Sequence, residues 1–568
     1  MNVDKTYNKL ILDQTTSYLS NINFNNSPPP DIIEYDLLKL TNDAIDEYNL
    51  GPLNKDSDES DPINIRYPYQ KKGQQRYLNI KTLLPFQIGE ILIKIHSVIN
   101  IATGGLESDP DKDALGVYQY EGYNKGIYEI NETSIAKVAR LYNISLNINS
   151  LKEVINYLRT KAPRKELNKN IDLIAVNNGI FDYKEKKLLD FNEDFVYLAK
   201  SHVNMNFEIK NPKITMPDGE IWDIESWVKD ISSNEEIENS LWEIASAILR
   251  PHVPWGRSAW LYSERGNNGK GTFCTLLRNL VGESSYSSIS LKNFSNPFML
   301  ESLTHTNAII VDENPVGIYI DQADDLKAVT TNDIITINPK YKSPIAFRFN
   351  GFMVQCLNEF PKARDKSDSF YRRQLFIPME KRFEGVERKY IKQDYLNRKD
   401  VLEYAMYKVL YKTNFYELSI PKKSQDIMDS YKQYNDPIRQ FFKDVEDLCI
   451  WDILPFTFLY DFYKAWVREN LPEGKPIGRN FFIKTIKNLC EESDIFVSEE
   501  SNQYRISDQM DKPEPLIIEY ELKKWYNKSY KGLDEDIIAN PKLEGRRFRG
   551  IKRKDQNDKQ NKEENDEI

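Results

Sequence analysis

The sequence predicts a multidomain α/β protein: an α+β N-terminal region, a phosphate-loop core on a parallel sheet, and a C-terminal region of helices. Three observations predict it. Between Pro251 and Glu417, apolar strand-like runs alternate with helical ones. "SERGNNGKGTF" (Ser263–Phe273) puts a Gly-rich loop between the apolar "SAWLY" and the helical-looking "CTLLRNLVG". "NAIIVDENP" (Asn307–Pro315) is a short apolar run ending in Asp312 and Glu313. Such a run reads as a buried parallel strand, and open α/β sheets bind ligands beyond the carboxyl ends of their strands.

Composition bounds the rest. A chain of 568 residues has room for about three to five domains, and 40% hydrophobic with 29% charged residues suits a globular protein. No apolar stretch reaches the roughly 18 residues of a membrane span, and the N-terminus has no basic-then-apolar signal pattern, so a cytoplasmic protein without a membrane partner is expected. Cys274, Cys356, Cys449 and Cys490 form no CxxC pair, and the four histidines do not cluster, so no zinc site is expected. Unpaired thiols suit a reducing compartment. A net charge of -10 argues against indiscriminate coating of nucleic acid and leaves local basic patches to decide.

Residues 1–85 form a variable N-terminal region, where "NNSPPPD" and the charged "NKDSDESDP" read as solvated loops or linkers. "SDPDKD", with Asp111 and Asp113, reads the same way. Residues 86–230 form an α+β domain. In it "GVYQYEGYNKGIYEI" (Gly116–Ile130) predicts a hairpin and "NETSIAKVARLYNI" a helix. "NNGIFDYKEKKLLDF" (Asn177–Phe191) predicts a second hairpin turning at Lys184–Lys187. Residues 231–420 hold the phosphate-loop domain. They open on a helix with Ser233 and Glu236 spaced as a capping box, and Ile237, Leu241, Ile244, Ala245 and Ile248 on one apolar face. Residues 430–552 read as helices with an aromatic core, and 553–568 as a disordered tail.

The loop departs twice from the standard phosphate-binding motif. Glu264 stands at the first glycine, and Gly271 follows the lysine where Ser or Thr is usual. Gly266, Asn267, Asn268, Gly269, Lys270, Gly271 and Thr272 are nonetheless the expected ATP-binding residues. Gly266 and Gly269 let the backbone turn and present N–H groups to phosphate, and Lys270 reaches the β- and γ-phosphates. Thr272 is offset by one from the usual Mg²⁺-binding hydroxyl. Asp312 is expected to hold Mg²⁺ through water, and Glu313 to polarise the attacking water. Asn358 ends the apolar run of "FMVQCLNEFP" and can orient that water. Arg372 and Arg373 precede a further strand-like run, where an arginine can act on a neighbouring subunit's ATP. Together these residues predict an ATPase.

In order, "GNNGKGTF", "IIVDEN", "DIITINPKYKSPIAF", "LNEFP" and "YRRQLFIP" resemble superfamily 3 helicases, in the branch of phage, plasmid and poxvirus primase-helicases. The helix ending at Arg250 and "NNGIFDYKEKKLLDF" resemble the domain that precedes the ATPase there. "GRRFRGIKRK" resembles the end of that branch's winged-helix domain. The resemblance implies an AAA+ ATPase core, a C-terminal winged-helix domain over 430–552, and a hexameric ring that moves along DNA. It implies that Lys270 is the phosphate-loop lysine, Asp312 and Glu313 the acidic pair, Asn358 the sensor, and Arg372 or Arg373 the arginine finger. "NPKYKSP" (Asn338–Pro344) matches a hairpin that enters the central channel, where Lys340 and Lys342 around Tyr341 suit a single-stranded phosphate backbone. The first 85 residues carry no zinc motif or catalytic acidic cluster, so primase activity is not expected in this chain. Small mobile elements often pair such an initiator with a separate primase, which would place the protein in the cytoplasm of a bacterial host.

In the C-terminal region "GRNFFIKTIKNLC" (Gly478–Cys490) predicts an amphipathic helix. Asn480, Lys484 and Lys487 share one face, and Phe482, Ile486 and Leu489 another. The polar face suits a DNA major groove or plain solvent. "EGRRFRGIKRK" gathers Arg546, Arg547, Arg549, Lys552, Arg553 and Lys554, a density that predicts phosphate contact. The leading expectation is an ATP-driven DNA helicase that recognises an origin. The alternatives are a nucleotide kinase, which needs an arginine lid but no hairpin or basic C-terminus, and a DNA-binding regulator that uses ATP only to assemble.

Overall fold

The structure is a computed structural model that describes residues 5–22, 27–50, 77–339, 344–383, 388–471, 476–498, 503–505, 510, 513–527 and 547–554. It divides into two compact units, residues 1–365 with 372–424, and residues 366–371 with 425–568.

The first unit opens with two helices that the sequence reading does not anticipate, α1 (Lys5–Ser20) and α2 (Pro30–Leu50). Each buries a narrow stripe at every fourth residue: Ile11, Thr15 and Leu19 on α1, and Ile33, Leu37, Thr41, Ile45 and Asn49 on α2. The polar members have partners. Gln87, on α3 (Pro85–Ile95), donates to Thr15 and Thr41. Asn42 and Asn49 each exchange two hydrogen bonds with the backbone, at Ile80 and Tyr77 respectively. The charged run around Asp58 lies outside the described residues.

Next comes a four-stranded sheet of β1 (Ile99–Ala102), β2 (Ala114–Tyr118), β3 (Tyr128–Glu129) and β4 (Arg164–Glu166), in the order β3-β2-β1-β4. The expected hairpin at Gly116–Ile130 is the β2–β3 pair, with Tyr118 opposite Tyr128. Helices α4 (Glu132–Ala139) and α5 (Ile148–Lys161) follow β3. The reading of Asp113 as part of a solvated loop needs correction. It is 6% exposed and forms a 2.5 Å ion pair with Arg164, because burial of a carboxylate demands a cation beside it. The second expected hairpin is β6 (Gly179–Asp182) with β7 (Lys187–Leu189), and β5 (Leu173–Val176) pairs with β6.

Helix α6 (Ile224–Ile231) is capped by Asp223, which accepts from the Glu225 and Ser226 amides. Helix α7 (Glu235–Leu249) buries Ile237, Leu241, Ile244, Ala245 and Ile248 as expected. Its cap is Asn234, not Ser233: the Asn234 side chain accepts from the Ile237 amide, and Glu236 turns away to accept from Lys422 N. Asn and Ser cap comparably well, so the residue whose backbone is extended one position later takes the role.

The core of this unit is a five-stranded, wholly parallel sheet. Its strands are β8 (Ser258–Tyr262), β9 (Tyr286–Ser287), β10 (Ala308–Val311), β13 (Phe352–Leu357) and β14 (Gln374–Pro378), in the order β9-β10-β13-β8-β14. Strands β10, β13 and β14 are buried along their whole length, which explains their unbroken apolar runs. α7 and α8 (Lys270–Val281) share one hydrophobic cluster with the strands. Between β10 and β13 a hairpin of β11 (Ile334–Ile337) and β12 (Ile345–Arg348) is paired antiparallel. Its stem is fastened to the end of β1: Thr103 donates to Ala346 O and accepts from the Arg348 amide.

The second unit runs helix α9 (Pro437–Val445), strand β15 (Ile453–Pro455), helices α10 (Phe456–Asn470) and α11 (Arg479–Glu492), then strands β16 (Phe496–Val497), β17 (Gln503–Arg505) and β18 (Arg547–Arg553). All three earlier strands pair antiparallel with β18. Phe441 anchors the core against Phe462, Tyr463, Trp466 and Phe482. Among the described residues no helix is long and apolar enough to cross a membrane.

Candidate nucleotide site

The Gly-rich loop follows β8 at the carboxyl edge of the parallel sheet and leads into α8. Tyr262, the last residue of β8, lies in register with Leu357 and Pro378, so Ser263 and Asn358 emerge side by side. The backbone turns at Asn267 (φ 54) and Gly269 (φ 88). Gly266, expected to supply a turn, stays outside the left-handed region, and Asn267 does so in its place. Gly269 is doubly required: a Cβ there would sit 3.1 Å from Ile231, at the end of α6, with the backbone already left-handed.

The side chain of Asn268, one of the expected ATP-binding residues, makes its hydrogen bonds within the loop, donating to Arg265 O and accepting from the Lys270 amide. The loop is also fastened from outside, where the Phe383 amide donates to Asn267 O.

Lys270 is 6% exposed, and its ammonium donates to Ser263 O at 3.1 Å and to Asn358 Oδ1 at 2.9 Å. Burial holds the amine below the usual lysine range. The loop lysine and the strand-end asparagine, 88 positions apart, thus touch directly. Asp312 leaves the end of β10 and is gripped through both oxygens by Arg278, at 3.1 and 3.0 Å. This hydrogen bonding holds the Asp312 carboxyl below the usual carboxylate range against the opposing effect of burial. Glu313 is exposed beside it. Thr272 lies half-buried in the first turn of α8.

Arg372 and Arg373 stand at the other end of the sheet, immediately before β14. The Ser258 amide, at the start of β8, donates to Arg373 O. The length of a five-residue strand, about 16 Å, separates that edge from the phosphate loop.

Of the expected DNA contacts, Lys340, Tyr341 and Lys342 lie outside the described residues, as does Arg546. Lys484 is exposed on α11, while Lys487 is half-buried with its ammonium 5.9 Å from the Phe456 ring. Arg547 and Arg549 are exposed, two apart on β18 and so on one face. Their neighbours serve the fold: Arg553 pairs with Asp452, and Lys554 donates to Ser493 O.

Sequence reading missed two residues and one contact here. Arg278 lies two turns into the loop helix, and only a search for a cation facing Asp312 would have found it. Asn314 is buried and ties the acidic loop down, donating to Gln355 Oε1 and Cys356 O and accepting from the Leu291 amide. Cys274 and Cys356 meet with sulfurs 3.3 Å apart. Hydrogen bonding between them, with burial, pushes the Cys356 thiol well up, so it acts as packing rather than as a nucleophile. Among the described residues no group of three or more His, Cys, Asp or Glu side chains is arranged to hold a metal.

Comparison with known proteins gives two segment matches. Residues 261–373 match a family of unknown function, DUF5906. Residues 433–521 match a family described as poxvirus D5 protein-like. No curated protein matches. Among solved structures, the A form apo structure of the NrS-1 C terminal region is 15% identical, with a TM-score of 0.41, over 77% of this chain and 91% of that one. A second structure of that region is 14% identical, also at 0.41, over 73% and 97%. Scores this low assign neither fold nor function. The sheet edge with the Gly-rich loop therefore lies in a segment similar to a family whose function is not known, and residues 433–521 of the second unit are similar to the poxvirus D5 protein-like family.

Proposed function

We propose that the protein is an ATP-dependent DNA helicase and replication initiator of a phage or mobile genetic element, working as a homo-oligomeric ring, a hexamer. The observation that carries this reading is the Lys270–Asn358 hydrogen bond at the carboxyl edge of a parallel sheet, with the Arg278–Asp312 pair on the same edge. The order of motifs along the chain and the poxvirus D5-like match support the helicase over a kinase.

ATP phosphates would lie against the loop, held by the amides at the start of α8 and by Lys270, which would trade Asn358 and Ser263 O for phosphate oxygens. Released from the lysine, Asn358 would orient the attacking water, and Glu313 would take its proton. Mg²⁺, when bound, neutralises phosphate charge, and Thr272 and Asp312 are the residues to hold it. Asp312 fits that role: its carboxylate is kept ionised, and 40% of its side chain is exposed.

Arg372 and Arg373 are too far from their own subunit's loop to reach it, which supports action on a neighbour's ATP and hence a ring. An AAA+ core would use that interface to move the β11–β12 hairpins, with Lys340, Tyr341 and Lys342 following one DNA strand. The helix–strand–helix–helix–strand order of the second unit supports a winged-helix reading, with Lys484, Lys487, Arg546, Arg547 and Arg549 on origin duplex. A separate primase would complete initiation in the bacterial cytoplasm.

Strand displacement on a forked DNA tests the proposal. The wild type should release the strand with ATP, and Lys270→Ala should not. A wild type that hydrolyses ATP yet leaves the fork intact would exclude the helicase.

A further inference from the structure

The segment after β14 returns across the phosphate loop and is attached to it at Asn267 through the Phe383 amide. It continues into the short helix Lys389–Gln393, which packs against α8. From this helix Lys392 reaches the loop. A methyl group built on Gly271 would meet one neighbour within 4 Å, the Lys392 ammonium nitrogen at 3.8 Å. Lys392 is exposed, and its charge reaches Asp312 as well.

Gly271 stands where the usual motif carries a hydroxyl, so the first turn of α8 offers no side chain at that point. A cation at the start of α8 faces the positive end of the helix, which is unfavourable on its own. An anion bound at the helix start would be attracted by both.

We propose that Lys392 is a second phosphate-binding cation of this site, meeting nucleotide phosphate oxygens at the helix start that Gly271 leaves bare. The proposal rests on the phosphate-site reading of the loop. Lys392 makes its contact in cis, from a segment that no motif marks.

Titration of the full-length protein with a fluorescent ATP analogue, alongside KM and kcat for hydrolysis, tests it on Lys392→Ala, Lys392→Arg and Lys270→Ala. Lys392→Ala should raise both Kd and KM about tenfold with an unchanged melting temperature, and Lys392→Arg should restore most of the loss. Normal ATP binding by Lys392→Ala, with binding lost in Lys270→Ala, would overturn the role of Lys392 and leave the phosphate site standing. Normal binding by Lys270→Ala would mean that the phosphate-site reading itself had failed, and the role of Lys392 with it.

Discussion

The two basic regions of this protein are built in opposite ways. At the carboxyl edge of the parallel sheet Lys270 is buried and has two partners, and Asp312 is held by Arg278. On β18 of the second unit Arg547 and Arg549 are exposed, while Arg553 and Lys554, further along, are tied into the fold. A buried charge must be paired and hydrogen-bonded before any ligand arrives, so its position is fixed in advance. An exposed charge costs the fold nothing and contributes by addition. Function at the first region should therefore hang on single side chains, and at the second on their sum.

The sharpest way to break this contrast is Lys270→Ala. It should lower ATP hydrolysis by about 100-fold or more, measured by phosphate release. Activity within about tenfold of wild type would remove the distinction. Phe441→Ala is next in size. It deletes a ring in contact with four aromatic neighbours and should cost the second unit ~3–5 kcal/mol by denaturant unfolding. DNA binding should fall while ATP binding persists.

Arg278→Ala sharpens the first half of the contrast. Arg278 keeps Asp312 ionised to a lower pH than an isolated carboxyl would be. In the variant the acid limb of the hydrolysis profile should move to higher pH, because the carboxylate then takes up its proton sooner. An unshifted limb would mean that Asp312 does not serve the reaction in its ionised form. The smallest effects belong to β18. Arg547→Ala and Arg549→Ala should each weaken duplex binding several-fold and lower the salt dependence by about one counterion, with the double variant near the sum.

The carboxyl edge of the parallel sheet is the more legible region because its signals are local. "VDEN" and "LNEF" end apolar runs, so Asp312 and Asn358 fall at strand ends, and the pairing register brings the edge together. The face of α7 and the buried side of α11 followed from helical spacing in the same way. α1 and α2 did not, because Thr15, Thr41 and Asn49 stand in their buried stripes and make the sequence look solvated. Only the partners, Gln87 and the backbone at Tyr77, reveal those positions as interior. Arg278 and Lys392 were missed for a related reason. A lone cation on a helix carries no signal until the fold brings an acid or a phosphate loop to it.

The central claim is that hydrolysis at this sheet edge drives DNA unwinding, and Glu313→Gln tests it most directly. The substitution keeps the size of an exposed side chain and removes only its ability to take a proton. In a forked-DNA displacement assay run beside ATP and DNA binding, the account predicts both ligands bound, no hydrolysis and no strand released. Strand release by Glu313→Gln at the wild-type rate would contradict it.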